Sequence, residues 1–473
     1  MRSSQKISPA SYRSLIRIGF LLAVSAILFG AMYLETVATI GQMNAPPGAT
    51  HDDMFFDNLA LNLSEGKGYM YDFRRKDYRQ RFLSQNEHGQ HDWLRSFHAK
   101  GRTSSRAVGY PATLAVLYKV FGWRWDVARW FNIIVMTIGL TALIAYALKR
   151  FGYVVASITL LVLILDVSIF STVPHLATEP LAIVLVCFSF IAMDFAIRGK
   201  RVWPFAVAGF CFGLLLFVRS NFVPWLPMMF VMFLGVLFWQ RHDFRKRNLI
   251  FKQALAYFGV AVLLCAPWWV RNCLVTRHFN PLGCEGKIAL CAAYCDESYA
   301  DYANWKPAVV NALKTEMAND PRSRTMDKAE WEHYVAVESA NRTMTWIKNN
   351  PEKLPYLICM RVVNDWSFYE PFPWWLHLAN AYLLALAILG AILSRNEQGK
   401  LLLLMLAMNT LVIMVTWPGH GRYAIPIRPI IAMFFAIATL SILRAIYSYW
   451  LSKVDGSTES RDGTSRRGMN GME

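Results

Sequence analysis

Two adjacent carboxylates are the first residues of the sequence whose types and spacing could do chemistry. Asp52 and Asp53 open a segment in which apolar residues recur at helical spacing until Gly66 and Gly68 end it. A carboxylate can take the proton of a reacting hydroxyl group, which makes the pair a candidate for general base catalysis. Helix capping is the alternative, because carboxylates at a helix N-terminus bind its free N–H groups. The spacing alone does not choose between these two interpretations.

One more acidic residue and three arginines stand at the ends of apolar segments farther along the chain. Glu179 begins one such segment, Arg219 and Arg271 end two others, and Arg422 precedes the last one. Arginine holds a phosphate group through its fixed charge and its two-pronged guanidinium. A single arginine at the end of an apolar segment needs no function, because its long side chain can extend to water. Three arginines together with Glu179 and the aspartate pair predict an anion site that faces a carboxylate site.

The elements that must position these residues are long apolar helices. Of the 473 residues, 55% are hydrophobic and 17% are charged, which is too few charges to cover several soluble domains. Ten almost wholly apolar runs are each close to the roughly 20 residues that a helix needs to cross a membrane. These runs cover residues 18–38, 127–148, 152–173, 179–197, 202–218, 223–239, 250–269, 375–393, 401–417 and 424–443. The sequence therefore predicts an all-α polytopic membrane protein with about ten transmembrane helices.

The location of the positive charge indicates the side of the membrane that each segment occupies. The net charge is +17, but 21 basic and 6 acidic residues lie in the N-terminus, the alternate joints between the runs and the segment 444–473. By the positive-inside rule these parts are cytoplasmic, so the charge does not indicate a nucleic acid ligand. Both termini are then cytoplasmic, 444–473 is a cytoplasmic polar tail, and two long loops, 41–107 and 270–374, are extracytoplasmic.

The N-terminal run has a second interpretation. Its basic flank and apolar core are also typical of a cleaved signal peptide. The length of the run favours a retained helix. Both interpretations leave the loop 41–107 outside, on the side that carries the acids and arginines described above.

Four of the eight cysteines cluster at the start of the loop 270–374. They are Cys273, Cys284, Cys291 and Cys295. An even number of cysteines in an oxidising compartment predicts two disulfides, with the pairing undetermined. A zinc site is the alternative, and it is less favoured because the spacing does not form two paired CxxC motifs.

The remainder of the loop 41–107 and the segment after it carry weaker signals. His88, His91 and His98 are interpreted as solvated side chains rather than as metal ligands. The apolar stretch in residues 108–122 is short for a membrane span and is interrupted by Lys119, which predicts a helix in the outer interface. An apolar surface beside an acidic pair suits a substrate with a lipid tail.

The order of these motifs resembles the GT-C glycosyltransferases, in particular the branch with the protein O-mannosyltransferases and the bacterial lipid A aminoarabinose transferase. That pattern has an acidic pair in the first outer loop, followed by an aromatic residue, an alanine and a Gly-Tyr ending. The matching residues are Asp52, Asp53, Phe56, Ala60, Gly68 and Tyr69. The interfacial helix, Arg129, Glu179 and the later segments APWWVRN and GRYAIPIRP also match in order. The resemblance covers most of residues 18–430 and implies one GT-C module over residues 1–443.

This resemblance implies an enzyme of the cytoplasmic, or inner, membrane with an extracytoplasmic active site. It would move one sugar from a polyprenyl-phosphate donor to a hydroxyl group of a lipid, of a glycan such as lipid A or O antigen, or of a protein. The absence of a WWDYG-type motif and of an appended outer domain favours a single sugar over a whole oligosaccharide.

The resemblance also implies roles for particular residues. Asp52 would be the general base or the acidic residue nearest the acceptor, with Asp53 and Glu179 as further catalytic residues. The implied contacts of the lipid phosphate are Arg219, Arg271, Arg422 and Tyr423. A divalent metal ion is the one candidate cofactor, and Asp53 and Glu179 are its candidate ligands.

Other classes of membrane protein also combine many helices with intramembrane charges. A transporter or a flippase of lipid-linked sugars is the main alternative, although the sequence has no internal repeat of the kind that many transporters show. A membrane scaffold or a polymer ligase would also use outer arginines and one large loop. The acidic pair in the loop 41–107 favours the transferase over both.

Overall fold

The computed structural model describes residues 9–47, 51–84, 94, 97–366, 374–394, 397–416 and 421–465. Ten apolar helices in this part of the chain form a bundle. They are α1 (Pro9–Ile40), α5 (Trp125–Phe151), α6 (Tyr153–Leu165), α8 (Glu179–Gly199), α9 (Trp203–Val218), α10 (Trp225–Trp239), α11 (Phe244–Thr276), α17 (Trp374–Ser394), α18 (Glu397–Val415) and α19 (Arg428–Ser465). Eight helical stretches among the described residues are long and apolar enough to cross a membrane. The prediction of a helical, multi-pass membrane protein is confirmed.

Two of the ten apolar helical stretches are shorter than the roughly 20 residues of a membrane span, and α6 is also much shorter than its predicted run. Helix α6 has 13 residues and α9 has 16. The span predicted over 152–173 ends at Leu165 because Asp166 leaves the helical conformation and caps α7 (Val167–Phe170) by accepting from the Ser168 N–H. The second carboxylate oxygen of Asp166 accepts from Nε of Arg428 at 2.6 Å. The helix therefore ends before the predicted span does, and Asp166 forms a buried ion pair with Arg428 instead of continuing it.

Close packing holds the short helix α9 within the bundle. Helix α9 lies between α8 and α11, which are its principal neighbours. At Gly209 the backbones of α9 and α11 approach so closely that an added Cβ would lie 2.2 Å from the carbonyl oxygen of Tyr257. Small residues allow such backbone contact between helices in a membrane. The buried core of the bundle continues through α5, α8 and α19.

Helix α19 runs beyond the predicted span. The sequence predicts a span that ends at residue 443 and a polar tail over 444–473, whereas the helix continues to Ser465. Residues 466–473 lie outside the described part of the chain. Residues 444–465 of the predicted tail are thus helical.

The loop 41–107, here called the first polar loop, forms a small layer on the bundle. It contains α2 (His51–Ser64), α3 (Lys76–Leu83) and the antiparallel strands β1 (Met70–Asp72) and β2 (Lys100–Arg102), in which Tyr71 pairs with Gly101. Helix α4 (Gly109–Phe121) follows it and matches the predicted interfacial helix. One face of α4 packs on α2, while the apolar Val116 and Val120 on the other face are exposed. This arrangement fits a helix at the membrane surface.

The loop 270–374, here called the second polar loop, is helical. It contains α12 (Glu285–Leu290), α13 (Asp296–Ala300), α14 (Pro307–Asn319), α15 (Lys328–Asn349) and α16 (Leu354–Trp366). Helix α15 begins with a capping box, in which Asp327 and Glu330 satisfy each other's backbone N–H groups. This cap and the apolar face that α15 buries explain why residues 328–349 form a long helix.

The two polar loops are joined by one buried carboxylate. The oxygens of Glu332 on α15 accept from Oγ1 of Thr103, at 2.8 and 2.9 Å, and from the N–H of Ser104 at 3.0 Å. The carbonyl oxygen of Ser104 in turn accepts from the N–H of Cys284 at 3.2 Å. Both loops therefore lie on the same side of the bundle.

The four clustered cysteines are not paired in this structure, and the two disulfides stay a prediction. All eight cysteines are described and all are free thiols. Each buried sulfur of the cluster has another partner: Cys284 Sγ accepts from Ser104 Oγ and Asn280 Nδ2, while Cys291 and Cys295 donate to backbone carbonyls within their own helical turns. Cys284, Cys291 and Cys295 thus act as small buried side chains at the start of the second polar loop, whereas Cys273 is partly exposed.

Candidate active site

Asp52 and Asp53 point in different directions from the first turn of α2. Successive side chains of a helix are about 100° apart, so only one of two neighbours can face a given partner. Asp53 is buried, and its Oδ2 accepts from the N–H of Leu176 and lies 3.3 Å from Nδ1 of His175. Asp52 remains 28% exposed and lines a cavity. Of the predicted acidic pair, Asp52 is therefore the residue that a substrate can reach.

Arg422 connects Asp52 with Glu179. Its Nε and Nη2 donate to Oε1 of Glu179 at 2.8 and 2.6 Å, and its Nη1 and Nη2 lie 3.3 and 3.4 Å from Oδ2 of Asp52. Glu179 is buried at the start of α8 and also pairs with Arg219 Nη1 at 3.1 Å. The structure thus brings together Asp52, Glu179, Arg219 and Arg422, which the sequence places up to 370 positions apart.

Two further charged residues complete this group. Nη1 of Arg106, near the end of the first polar loop, lies 2.7 Å from Oδ1 of Asp52 and 2.5 Å from Oε1 of Glu285. Glu285 is the first residue of α12 in the second polar loop. The sequence motifs missed both residues because they lie in loop segments without a periodic pattern. The charged cluster, as it is called below, consists of Asp52, Arg106, Glu179, Arg219, Glu285 and Arg422.

The charged cluster contains three arginines and three carboxylates, so its formal charge is zero when all are ionised. Arg106 beside Asp52 holds the pKa of this carboxyl below its usual value, although burial acts in the opposite direction, and Arg422 adds to the lowering. Burial raises the pKa of Glu285 to about 7 in spite of the attraction of Arg106. Asp52 is therefore ionised at neutral pH, whereas Glu285 exchanges a proton there.

The cavity has a volume of about 570 Å³ and combines the charged cluster with apolar walls. Asp52, Arg106, Arg219, Glu285 and Arg422 contribute to its lining. The apolar part of the lining includes Phe56, Leu216, Phe217, Trp268, Trp269 and Val412. Such a cavity can hold a molecule with an anionic head and an apolar chain.

Tyr423 lines the cavity, and its contact with the lipid phosphate stays a prediction. The Arg219 guanidinium lies 5.5 Å from the centre of its ring. Burial raises the pKa of Tyr423 to about 12, so its hydroxyl group stays protonated at neutral pH. A neutral phenol can donate a hydrogen bond to a phosphate oxygen.

Arg271 is not brought to the charged cluster. Its Nη1 donates to the carbonyl oxygen of Thr103 at 2.6 Å, its Nη2 donates to that of Tyr69 at 3.0 Å, and its guanidinium lies over the ring of Trp268. These contacts join α11 to the first polar loop. The phosphate contact implied for Arg271 stays a prediction, and in this structure the residue braces the loop.

Arg129 and Asp57 also brace the first polar loop. Arg129 donates to the carbonyl oxygens of Met43, Ala45 and Pro174. Oδ1 of Asp57 accepts from the Tyr118 hydroxyl at 2.6 Å and from the indole N–H groups of two tryptophans, Trp123 and Trp125, at 3.1 Å each. Burial raises the pKa of Asp57, which the sequence motifs did not single out. These bonds fix α2, and with it Asp52, against α4 and α5.

The candidate metal ligands Asp53 and Glu179 have other partners in this structure, and the metal ion stays a prediction. Among the described residues, no group of three or more His, Cys, Asp or Glu side chains could hold a metal ion. The charge of Glu179 is already compensated by two arginines, which opposes the binding of a cation, and Asp53 is held by the segment at His175 and Leu176. His88 and His91 lie outside the described residues, and Nδ1 of His98 is 3.1 Å from Nη1 of Arg79.

Comparison with known proteins shows the fold. No protein-family model matches the chain, and no curated protein sequence matches it. Among solved structures, the apo oligosaccharyltransferase of Archaeoglobus fulgidus matches with a TM-score of 0.53 and 11% identity, over 92% of this chain and 52% of that chain. This chain thus spans about half the length of the archaeal protein. This likeness confirms the predicted fold, and it shows the fold alone.

Two other solved structures are similar at lower scores. ArnT from Cupriavidus metallidurans, bound to undecaprenyl phosphate, matches over 89% of this chain and 78% of that chain, with 13% identity and a TM-score of 0.38. The arabinosyltransferase EmbB from Mycobacterium smegmatis matches over 93% of this chain and 42% of that chain, with 14% identity and a TM-score of 0.36. At these scores the two structures add nothing to the fold assignment.

Proposed function

We propose that the chain is a glycosyltransferase that transfers one sugar from a polyprenyl-phosphate donor to a hydroxyl group of a lipid, a glycan or a protein. The observation that carries this proposal is the contact between Asp52 and Arg422 inside a cavity with apolar walls. In this proposal, Asp52 serves the acceptor and the neighbouring Arg422 serves the departing phosphate. The fold, which is that of an oligosaccharyltransferase, supports the proposal.

The donor would bind through its phosphate and its lipid chain. Arg422 and Arg219 carry the fixed charges that attract the phosphate, and the Tyr423 hydroxyl group can donate a further hydrogen bond. The apolar residues of α9 and α11 in the lining suit the first isoprene units of the lipid. Because both arginines are paired with Glu179, an entering phosphate must compete with that carboxylate for their N–H groups.

The acceptor would bind next to Asp52. In the reaction, the acceptor oxygen forms a bond to C1 of the sugar while the bond from C1 to the phosphate oxygen breaks. The electron pair of that bond leaves with the lipid phosphate, whose added charge the arginines stabilise. The ionised Asp52 can orient the acceptor hydroxyl group and favour the positive charge that develops on the sugar ring. A carboxylate of the charged cluster takes up the proton.

The distribution of charge in the sequence supports an extracytoplasmic reaction in the cytoplasmic membrane. The charged cluster includes residues from both polar loops, 41–107 and 270–374, whose net charge is small, while the basic joints lie elsewhere. A polyprenyl-phosphate donor has its sugar at this face after it has crossed the membrane.

The test uses the purified full-length protein in liposomes with a panel of undecaprenyl-phosphate-linked hexoses and pentoses. The expected result is release of undecaprenyl phosphate, either by transfer to an added acceptor extract or by hydrolysis. Asp52→Asn should lose turnover but still bind the donor, whereas Asp77→Asn, which alters an exposed ion pair with Arg75, should behave like the wild type. Movement of labelled lipid between leaflets without cleavage of any donor would support a flippase and overturn the proposal.

A further inference from the structure

Glu285 brings a second carboxylate of the charged cluster into the cavity beside Asp52. It belongs to the second polar loop, and 36% of its side chain is exposed. Nη1 of Arg106 lies 2.5 Å from Glu285 Oε1 and 2.7 Å from Asp52 Oδ1. A guanidinium nitrogen of this kind carries two hydrogens, so it can donate to both carboxylates at once. The two polar loops thus each supply one carboxylate to a shared cation.

The backbone around Glu285 is fixed to the segment that carries Arg106. The N–H of Cys284 donates to the carbonyl oxygen of Ser104 at 3.2 Å, and the Cys284 thiol accepts from the Ser104 hydroxyl group. Gly283 has a φ of +81°, and an added Cβ there would lie 2.2 Å from the Ser104 carbonyl oxygen. Residues 283–285 therefore lie directly beside residues 104–106. These backbone contacts hold Glu285 next to Arg106.

The surroundings of Glu285 differ from those of Asp52. Four charged groups act on Glu285: Arg106 and Asp52 from the first polar loop, Lys314 from α14, and Glu332 from α15. Burial raises its pKa to about 7, and the two neighbouring carboxylates add to the effect of burial. Arg106 and Arg422 lie beside Asp52, and their positive charges lower its pKa. When the surroundings give two neighbouring carboxyl groups different pKa values, one group can transfer the proton and the other can stabilise charge.

We propose that Glu285 is the catalytic residue that takes the proton of the acceptor hydroxyl group, while Asp52 stays ionised and orients that group. The inference rests on the proposed glycosyl transfer. As the acceptor oxygen bonds to C1 and the lipid phosphate departs, the proton moves to the Glu285 carboxylate. Arg106 stays protonated and keeps its bond to Asp52. Loss of the proton to water from the cavity then restores the ionised Glu285.

This division follows from what each carboxylate can do at neutral pH. An effective general base has a pKa close to the working pH, because it must be deprotonated and still bind a proton well. Asp52, with its two arginines, is a weak proton acceptor but a persistent negative charge. Glu285 pairs with one arginine, Arg106, which it shares with Asp52. Its partly exposed side chain lines the cavity, where the acceptor can contact it.

The test compares four proteins in liposomes with undecaprenyl-phosphate-linked sugars between pH 5.5 and 9. For the wild type, kcat/KM should rise with pH through about 7 and then level off. Glu285→Gln should lose about 10²- to 10⁴-fold at pH 8 and lose this rise, while Glu285→Asp should keep part of the rate with a displaced rise. Glu316→Gln, which removes an exposed carboxylate of the same loop, should keep the wild-type profile. A wild-type rate and profile in Glu285→Gln would overturn the inference and leave the proposed function intact.

Infrared spectroscopy provides a readout that does not depend on turnover. A carbonyl band of a protonated carboxyl group should disappear as the pH rises through about 7 in the wild type and should be absent from Glu285→Gln. Persistence of that band in the variant would assign the titration to another group and overturn the inference. If the wild type releases lipid phosphate from no donor at any pH, the proposed function fails and the base role fails with it, even where the band titrates as expected.

Discussion

Nε of Arg422 donates to Oε1 of Glu179 across 2.8 Å, although 243 residues separate the two in the chain. The loop before α19 is thereby tied to the first turn of α8. The same guanidinium reaches Asp52. A residue that precedes the last apolar segment therefore organises the site together with residues from the first half of the chain.

Arg422 gives a first prediction about catalysis. Arg422→Ala should lower kcat/KM for a polyprenyl-phosphate sugar by about 10²- to 10³-fold, because the cation proposed to stabilise the departing phosphate is lost. Arg422→Lys should restore only part of the rate, since an ammonium group cannot reach both carboxylates with a planar fork. The measurement is steady-state release of lipid phosphate from liposomes. Arg342→Ala, at an exposed ion pair of α15, is the matched control, and an unchanged rate in Arg422→Ala would remove the phosphate role.

Glu332 gives a second prediction, about the joint between the two polar loops. Glu332→Ala leaves the Thr103 hydroxyl group and the Ser104 N–H without their acceptor in a buried place. Each buried polar group left unpaired costs about 1–3 kcal/mol, so the melting temperature in detergent should fall clearly. Glu338→Ala on the same helix removes only an exposed ion pair and should have little effect. Equal melting temperatures for the two variants would contradict this account of the joint.

Much of the fold and part of the site could be predicted from the sequence. The apolar runs predicted the helices because a helix that crosses lipid must be apolar along its whole length. Asp52, Glu179 and Arg422 could be selected because ionised residues at the ends of such helices are uncommon without a function. The early end of α6 was missed, because the pairing of Asp166 with Arg428 depends on a partner 262 residues away.

The rest of the site depends on contacts that no local pattern records. Arg106 and Glu285 meet because one backbone and one side-chain hydrogen bond join Ser104 to Cys284, which belong to different loops. Arg271 belongs to the segment APWWVRN, which matches the GT-C pattern, yet it donates to two backbone carbonyls outside the charged cluster. A motif identifies the type of residue, whereas the direction of its side chain depends on the neighbours that packing supplies.

The cysteines give a third prediction, about the oxidation state of the second polar loop. The sulfur of Cys284 is held by Ser104 and Asn280, and those of Cys291 and Cys295 by backbone carbonyls. Protein that is denatured and alkylated without reductant should therefore gain eight alkyl groups by intact mass, one for each cysteine. Protein reduced before alkylation is the control and should have the same mass. A gain of only four groups before reduction would show that two disulfides had formed.

The last prediction concerns the pH dependence of stability and follows from Glu285. Its pKa is about 7 in the folded chain and about 4.5 without the fold. A raised pKa means that the folded chain binds the proton more tightly than the unfolded chain. The stabilisation is therefore complete below about pH 4.5 and is lost as the pH rises through about 7. Asp52 acts in the opposite sense and only below about pH 3.8, so it does not contribute between pH 5 and 8.

Glu285→Gln removes this contribution because an amide stays neutral at every pH. The free energy of unfolding of Glu285→Gln minus that of the wild type should therefore increase from pH 5 to pH 8, measured by equilibrium unfolding in mixed detergent and SDS micelles. All other titrating groups are shared by the two proteins, so the difference isolates Glu285. Glu316→Gln should give a difference that does not change with pH over this range. A flat difference for Glu285→Gln as well would mean that Glu285 is ionised throughout the range and that Arg106 outweighs its burial.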